Sequence, residues 1–224
     1  MRRKLATYKP GAYARVVQEN LPKKTLLAVY GVEGGGRSSL SKSLIYSVTD
    51  EYRRIETGPS KDGRGVTKES SFYSINDNIA IQDTIGLPKG PNEVSNVVDK
   101  MLTDEICCPI IVIGRNQDIE PYKPMYRKFI TDITERLSFP PVFVVTCRDD
   151  KGNPDGSPMN KLITNLGGAS DRIFFVDNIL EETSDELSKK DFLALLVKLL
   201  EVADDNIIRK SNKIYRHCLE ASST

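Results

Sequence analysis

Gly31-Val32-Glu33-Gly34-Gly35-Gly36-Arg37-Ser38 is the stretch on which the fold turns. An apolar run, Thr25-Leu26-Leu27-Ala28-Val29-Tyr30, precedes it, and an amphipathic segment from Ser38 to Val48 follows. Strand, glycine loop and helix in that order form the phosphate-binding loop of nucleotide hydrolases, G-x-x-x-x-G-K-[ST]. Every defining position matches except the lysine, which is Arg37. Phosphate oxygens need backbone N–H donors at close range, and glycines let the chain wrap tightly enough to supply them. The helix start adds partial positive charge. Ser38 carries the hydroxyl expected to ligate Mg²⁺, and Ser39 sits where a hydroxyl meets the α-phosphate.

Further elements follow along the chain. Asp83-Thr84-Ile85-Gly86 closes a predicted strand at 78–82. Asp83 stands where a Mg²⁺-organising carboxylate belongs, and Gly86 where an N–H meets a γ-phosphate. Alone, Asp-x-x-Gly is as consistent with a turn; its position after a strand gives it weight. Thr67, in Gly65-Val66-Thr67-Lys68, is a candidate to complete the metal shell, or a solvated loop threonine. Thr146-Cys147-Arg148-Asp149 ends a predicted strand at 142–145. Asp149 is placed to accept from the N–H groups of guanine, and a wrong base would leave it unpaired. The usual pattern there is [NT]-K-x-D, with lysine where Cys147 stands. Asn178 is a weaker candidate for the far side of the base, or a loop former.

The surroundings predict the class. Apolar runs at 110–113, 142–145 and 173–176 alternate with helical spacing in Tyr126, Phe129, Ile130, Ile133 and Leu137. A short helix is expected at 161–166. A long final helix is expected from Ser188, capped by Ser188-x-x-Asp191, with the face Phe192, Leu195, Leu196, Leu199 and Ala203. Two strand signals, 70–75 and 78–82, flank Asn76-Asp77 and predict a hairpin. The expected fold is α/β: a Ras-like P-loop NTPase domain with a mostly parallel six-stranded sheet, helices on both faces, and the 70–75 strand antiparallel at one edge. Residues 1–24 read as a lead-in, 25–210 as the nucleotide-binding domain, and 211–224 as a helical extension.

Composition bounds the partners. The chain has 224 residues and a net charge of +1, which gives no field steering it toward nucleic acid or a membrane surface. No apolar run is long enough to span a bilayer. Arg2-Arg3-Lys4 is not followed by an apolar stretch, so a secretory leader is not expected. Four cysteines and one histidine, His217, fit neither a disulfide framework nor a zinc site. Cys107 and Cys108 read as small apolar residues leading into a buried strand. A reducing cytoplasmic setting is the expectation.

In order and spacing, these elements resemble the TRAFAC-class GTPases. Over nearly the whole chain, the lead-in Tyr8-Lys9-Pro10, the "GRSSL" of the loop, "DTIGL" and the ending "FFVDN…EE…KDFLALLVKLLEVADDN" resemble the GTPase domain of the interferon-induced protein 44 family. Gly65-Val66-Thr67-Lys68-Glu69 is also similar to the AIG1-type immune-associated GTPases, the second choice. The resemblance implies binding of GTP or GDP with Mg²⁺, a cytoplasmic location and a role in innate defence. Protein partners or self-association are compatible with it.

Four positions depart from an ordinary turnover site. Arginine is wider and forked where lysine is a point charge on a thin stem. Glu33 brings a carboxylate to the loop; about 4 Å from a phosphate oxygen it would cost on the order of 1 kcal/mol in water and about 4 at an intermediate dielectric. Glu33 is expected either to point outward or to pair with Arg37 and divert it from phosphate. Leu87 follows Gly86 where a water-orienting Gln or His is common, and Cys147 replaces a lysine. Arg64 is a loop arginine that could stabilise charge or simply be solvated. Weak or absent intrinsic hydrolysis is expected, with a nucleotide-free protein-binding scaffold as the rival reading.

Overall fold

The computed structural model describes residues 24–49, 70–88, 90–114, 117–146, 158–176 and 186–223, with the side chains of the last helix described over 189–212. Thr67, Arg148, Asp149 and Asn178 lie outside the described residues, as do Arg64 and Cys147.

Six strands form one sheet: β1 Thr25–Tyr30, β2 Ser71–Ser74, β3 Ile79–Asp83, β4 Ile106–Gly114, β5 Val142–Thr146 and β6 Ile173–Val176. Their order is β2-β3-β1-β4-β5-β6. Only β2 runs antiparallel, pairing with β3 at one edge; the other pairings are parallel. This is the sheet the sequence predicts. The hairpin turn is an Asx turn, with Asn76 Oδ1 accepting from the N–H groups of Asn78 and Ile79 at 2.8 Å each.

Five α-helices accompany the sheet among the described residues: α1 Arg37–Thr49, α2 Val94–Met101, α3 Lys123–Leu137, α4 Pro158–Asn165 and α5 Glu186–Ser223. Side chains alternate along each strand, so each face has its own core. Leu26, Ala28 and Tyr30 of β1 pack with Val94, Val98, Tyr126 and Phe129 of α2 and α3. Leu27 and Val29 pack on the other face with Leu40 and Leu44 of α1 and Phe192, Leu195 and Leu199 of α5. Full burial of such side chains stabilises the fold by about 1.5–3 kcal/mol each.

Three local expectations need correction. The central strand β4 is longer than predicted: it begins at Ile106, so Cys107 and Cys108 lie inside it rather than before it. Pro109 hides this extent from the sequence. It is tolerated because pairing with β5 starts one residue later, at Ile110, so the strand there has a ladder on one side only. The last helix begins at Glu186, before Ser188, so Ser188 is inside the first turn and not its cap. Helix α2 is not singled out by the sequence reading, although its buried Val94, Val98 and Met101 repeat at helical spacing.

Candidate functional site

The chain order β3-β1-β4 makes the carboxyl end of β1 a switch point, where successive connections leave in opposite directions. Open α/β sheets place ligand crevices there. The glycine loop occupies this position. Val32 is buried, whereas Glu33 and Gly34 are exposed. Gly35 N–H donates to the Val32 carbonyl at 3.1 Å, and Leu40 N–H to that of Gly36 at 2.8 Å, which starts α1. Three glycines of the loop are required by geometry. A Cβ on Gly31 would lie 2.7 Å from the Val112 carbonyl oxygen. Gly34 and Gly36 have φ +76° and +89°, conformations costly to other residues.

The Asp83–Leu87 segment runs alongside this loop. Thr84 is fully buried; its hydroxyl donates to the Val29 carbonyl at 2.7 Å. Leu87 N–H donates to the Gly31 carbonyl at 2.9 Å. The Leu87 side chain joins the core beside α2 and α3, so it is a packing residue.

Arg37 lies across the two segments. Its Nη1 donates to the Thr84 carbonyl oxygen. Its Nη2 would be 3.4 Å from a Cβ on Gly86, and Glu33 N 3.8 Å from the same point. Arg37 is buried, with 7% of its surface exposed. Desolvation lowers its pKa, opposed by the charges of Asp83, Tyr126 and, least, Glu33. The guanidinium is thus held by the Thr84 carbonyl and not by Glu33, which stays exposed.

Asp83 is 2% exposed. Burial raises its pKa, while a hydrogen bond from Ser38 and the charge of Arg37 oppose the rise. Its Oδ1 has no hydrogen-bond partner. Ser38 and Asp83 thus bring two hard oxygen donors together, one carboxylate oxygen still unsatisfied, and this set fits Mg²⁺. Such an ion, when bound, would bridge and neutralise phosphate oxygens.

The structure also brings in residues the sequence did not mark. Tyr126 is fully buried on α3 and its hydroxyl lacks a hydrogen-bond partner; burial raises its pKa, and Val32 and Arg37 are among its surroundings. Helical spacing identified Tyr126 as core but could not show that its hydroxyl faces the loop. Gln117 Oε1 accepts from Gly114 N–H at 3.3 Å and would lie 3.4 Å from a Cβ on Gly35, bracing the loop from β4. At the end of β5, Thr146 Oγ1 would lie 3.6 Å from a Cβ on Gly36. The end of β5 therefore abuts the glycine loop. Ser39 is half-buried in the first turn of α1, and its carbonyl accepts from Ser43 Oγ at 2.9 Å.

Among solved structures, a variant of Aquifex aeolicus Era bound to GDP and tetrafluoroaluminate is similar, with a TM-score of 0.50 and 16% identity over 79% of this chain and 57% of that one. The fold is the Ras-like P-loop fold, a mostly parallel six-stranded sheet with helices on both faces. A protein of Thermus thermophilus is also similar, with a TM-score of 0.40 and 17% identity over 65% of this chain and 22% of that one. The chain thus spans about a fifth of one neighbour and just over half of the other. No protein-family model matches the chain, and no curated protein matches it. Among the described residues no helix is long and apolar enough to cross a membrane.

Proposed function

We propose that this chain binds guanine nucleotide, GTP or GDP, with Mg²⁺, and that it hydrolyses GTP slowly or not at all. The observation that carries the reading is the juxtaposition of the glycine loop with Ser38 and Asp83 at the switch point of the sheet. In this reading the N–H groups of 31–36 and the start of α1 hold the phosphates, while Ser39 meets the α-phosphate. Ser38 and Asp83, joined by Thr67, hold the metal ion. Gly86 N–H serves the γ-phosphate. Thr146, Arg148, Asp149 and Asn178 surround the base, with Asp149 selecting guanine. Slow turnover follows from Leu87: its side chain is in the core, where it orients no water. The likeness of the quoted motifs to the interferon-induced protein 44 family supports a cytoplasmic role in innate defence, with protein partners or self-association.

One observation favours the rival, a scaffold that binds partner proteins without nucleotide: Arg37 is already hydrogen-bonded to Thr84. Calorimetric titration with GTP, GDP and ATP, with and without Mg²⁺, separates the two. Micromolar guanine-nucleotide binding without ATP binding is the expected result. Silence with all three leaves the scaffold. Full guanine preference in Asp149→Ala would overturn the base assignment.

A further inference from the structure

We infer that Arg37 is a built-in cation that stands in for the γ-phosphate contact and the metal ion, making this a nucleoside-diphosphate site that does not need Mg²⁺ to hold GDP. The inference rests on the nucleotide reading above and deepens it. In that reading a γ-phosphate sits between the backbone N–H groups of the glycine loop and of Gly86. That space is not open. Arg37 Nη2 and Glu33 N both lie within 4 Å of the point where a Gly86 Cβ would be. The loop and the Asp83–Leu87 segment have come together around the guanidinium, and Nη1 is tied to Thr84. A tetrahedral phosphoryl group cannot share that gap with the arginine.

The charge arrangement agrees with the geometry. Asp83 is where a carboxylate would organise Mg²⁺, and here the positive charge of Arg37 acts on it. A guanidinium has five N–H donors in a rigid fork. One is used on Thr84, so donors remain for a β-phosphate oxygen, and such charge-assisted bonds are strong. Arg37 can thus neutralise a diphosphate while still anchored. Triphosphate with its metal must first displace the guanidinium from Thr84. The site selects the diphosphate by making the triphosphate break contacts that already exist.

Lysine at this position would remove the obstruction, because a single ammonium cannot both reach Thr84 and fill the gap with a planar fork. The test is titration of the purified chain with GDP and GTP, each in excess Mg²⁺ and in chelator, for wild type and Arg37→Lys. For wild type, the GDP dissociation constant should change by less than about threefold on chelation, with GTP weaker by about tenfold or more. Arg37→Lys should narrow the GDP–GTP gap and make binding depend on Mg²⁺. The GDP-induced rise in Tm in chelator gives a second readout, which should be present in wild type and lost in Arg37→Lys. GTP binding as tight as GDP, or GDP binding lost on chelation, overturns this inference and leaves the nucleotide reading standing. Absence of GDP and GTP binding in both proteins overturns both.

Discussion

Arg37 and Thr84 are joined by a hydrogen bond from guanidinium to carbonyl across 47 positions of sequence. This contact fastens the first turn of α1 to the segment leaving β3, next to the buried Asp83 carboxyl. Arg37→Met keeps the apolar stem and removes the donor and the charge. It leaves the Thr84 carbonyl unpaired and Asp83 without its counter-charge. The expected loss of stability is about 1–3 kcal/mol near neutral pH. The sign of its pH dependence follows from Asp83, whose pKa is already raised by burial. Without Arg37 it rises further, so the folded variant holds a proton that the unfolded chain has lost. Stability then falls as pH rises through that range. Urea midpoints at acidic and alkaline pH should show a deficit that shrinks toward acid.

A second non-local pair holds the far end of the sheet. Arg172 Nη2 donates to Asn206 Oδ1 at 3.0 Å, Asn206 Nδ2 donates to the Cys107 carbonyl at 2.8 Å, and Arg172 Nη1 donates to the Pro140 carbonyl at 3.0 Å. Asn206 is fully buried. Asn206→Leu should cost about 2–4 kcal/mol, because Arg172 and a backbone carbonyl each lose a partner. Adding Arg172→Met should recover part of this by removing the stranded charge. Denaturant unfolding of the single and double variants checks the coupling.

The alkaline limit of the fold is set by the central strand and its neighbours. Burial pushes the Cys108 thiol up to about 12, and raises Cys107, Tyr30 and Tyr126 as well. Each group stays protonated in the folded chain after the unfolded chain has released its proton. Their contribution to stability is therefore full below about pH 9 and falls above it, Cys108 alone accounting for on the order of 4 kcal/mol by pH 12. A thiol reagent at mildly alkaline pH should modify Cys108 only on unfolding, as read by peptide mass spectrometry. Fast modification of the native protein would contradict its placement inside β4.

Within the glycine loop, Gly31 and Gly34 should respond differently to substitution. Gly31→Ala drives a Cβ against the Val112 carbonyl at 2.7 Å. It should cost about 1–3 kcal/mol and abolish nucleotide binding, because strand β4 must move. Gly34→Ala meets nothing within 4 Å, but keeps φ +76°. Its cost should be about 1–2 kcal/mol, from backbone strain alone. Thermal unfolding and nucleotide titration of the two variants separate steric from conformational cost.

The architecture was legible in the sequence because it follows from local patterns: a glycine loop between an apolar run and an amphipathic one, then apolar runs alternating with helical spacing. These fixed the six strands, the antiparallel edge and the place of Ser38 and Asp83. The misjudged boundaries have local causes too. Pro109 masks the first half of β4, and Ser188-x-x-Asp191 has the form of a cap inside a helix that starts earlier.

Sequence alone determined that position 37 is arginine and that the loop carries a carboxylate. It could not determine where the guanidinium goes, because its choice lies between Glu33, four residues away on the same loop, and groups brought near only by the pairing of β1 with β3. Desolvation decides it. Glu33 is exposed and its charge is screened by water, whereas the Thr84 carbonyl is buried and leaving it unpaired would be costly. The same reason places Leu87 in the core and the Tyr126 hydroxyl beneath the loop: both are set by which strands and helices meet, and meeting is a property of the folded chain.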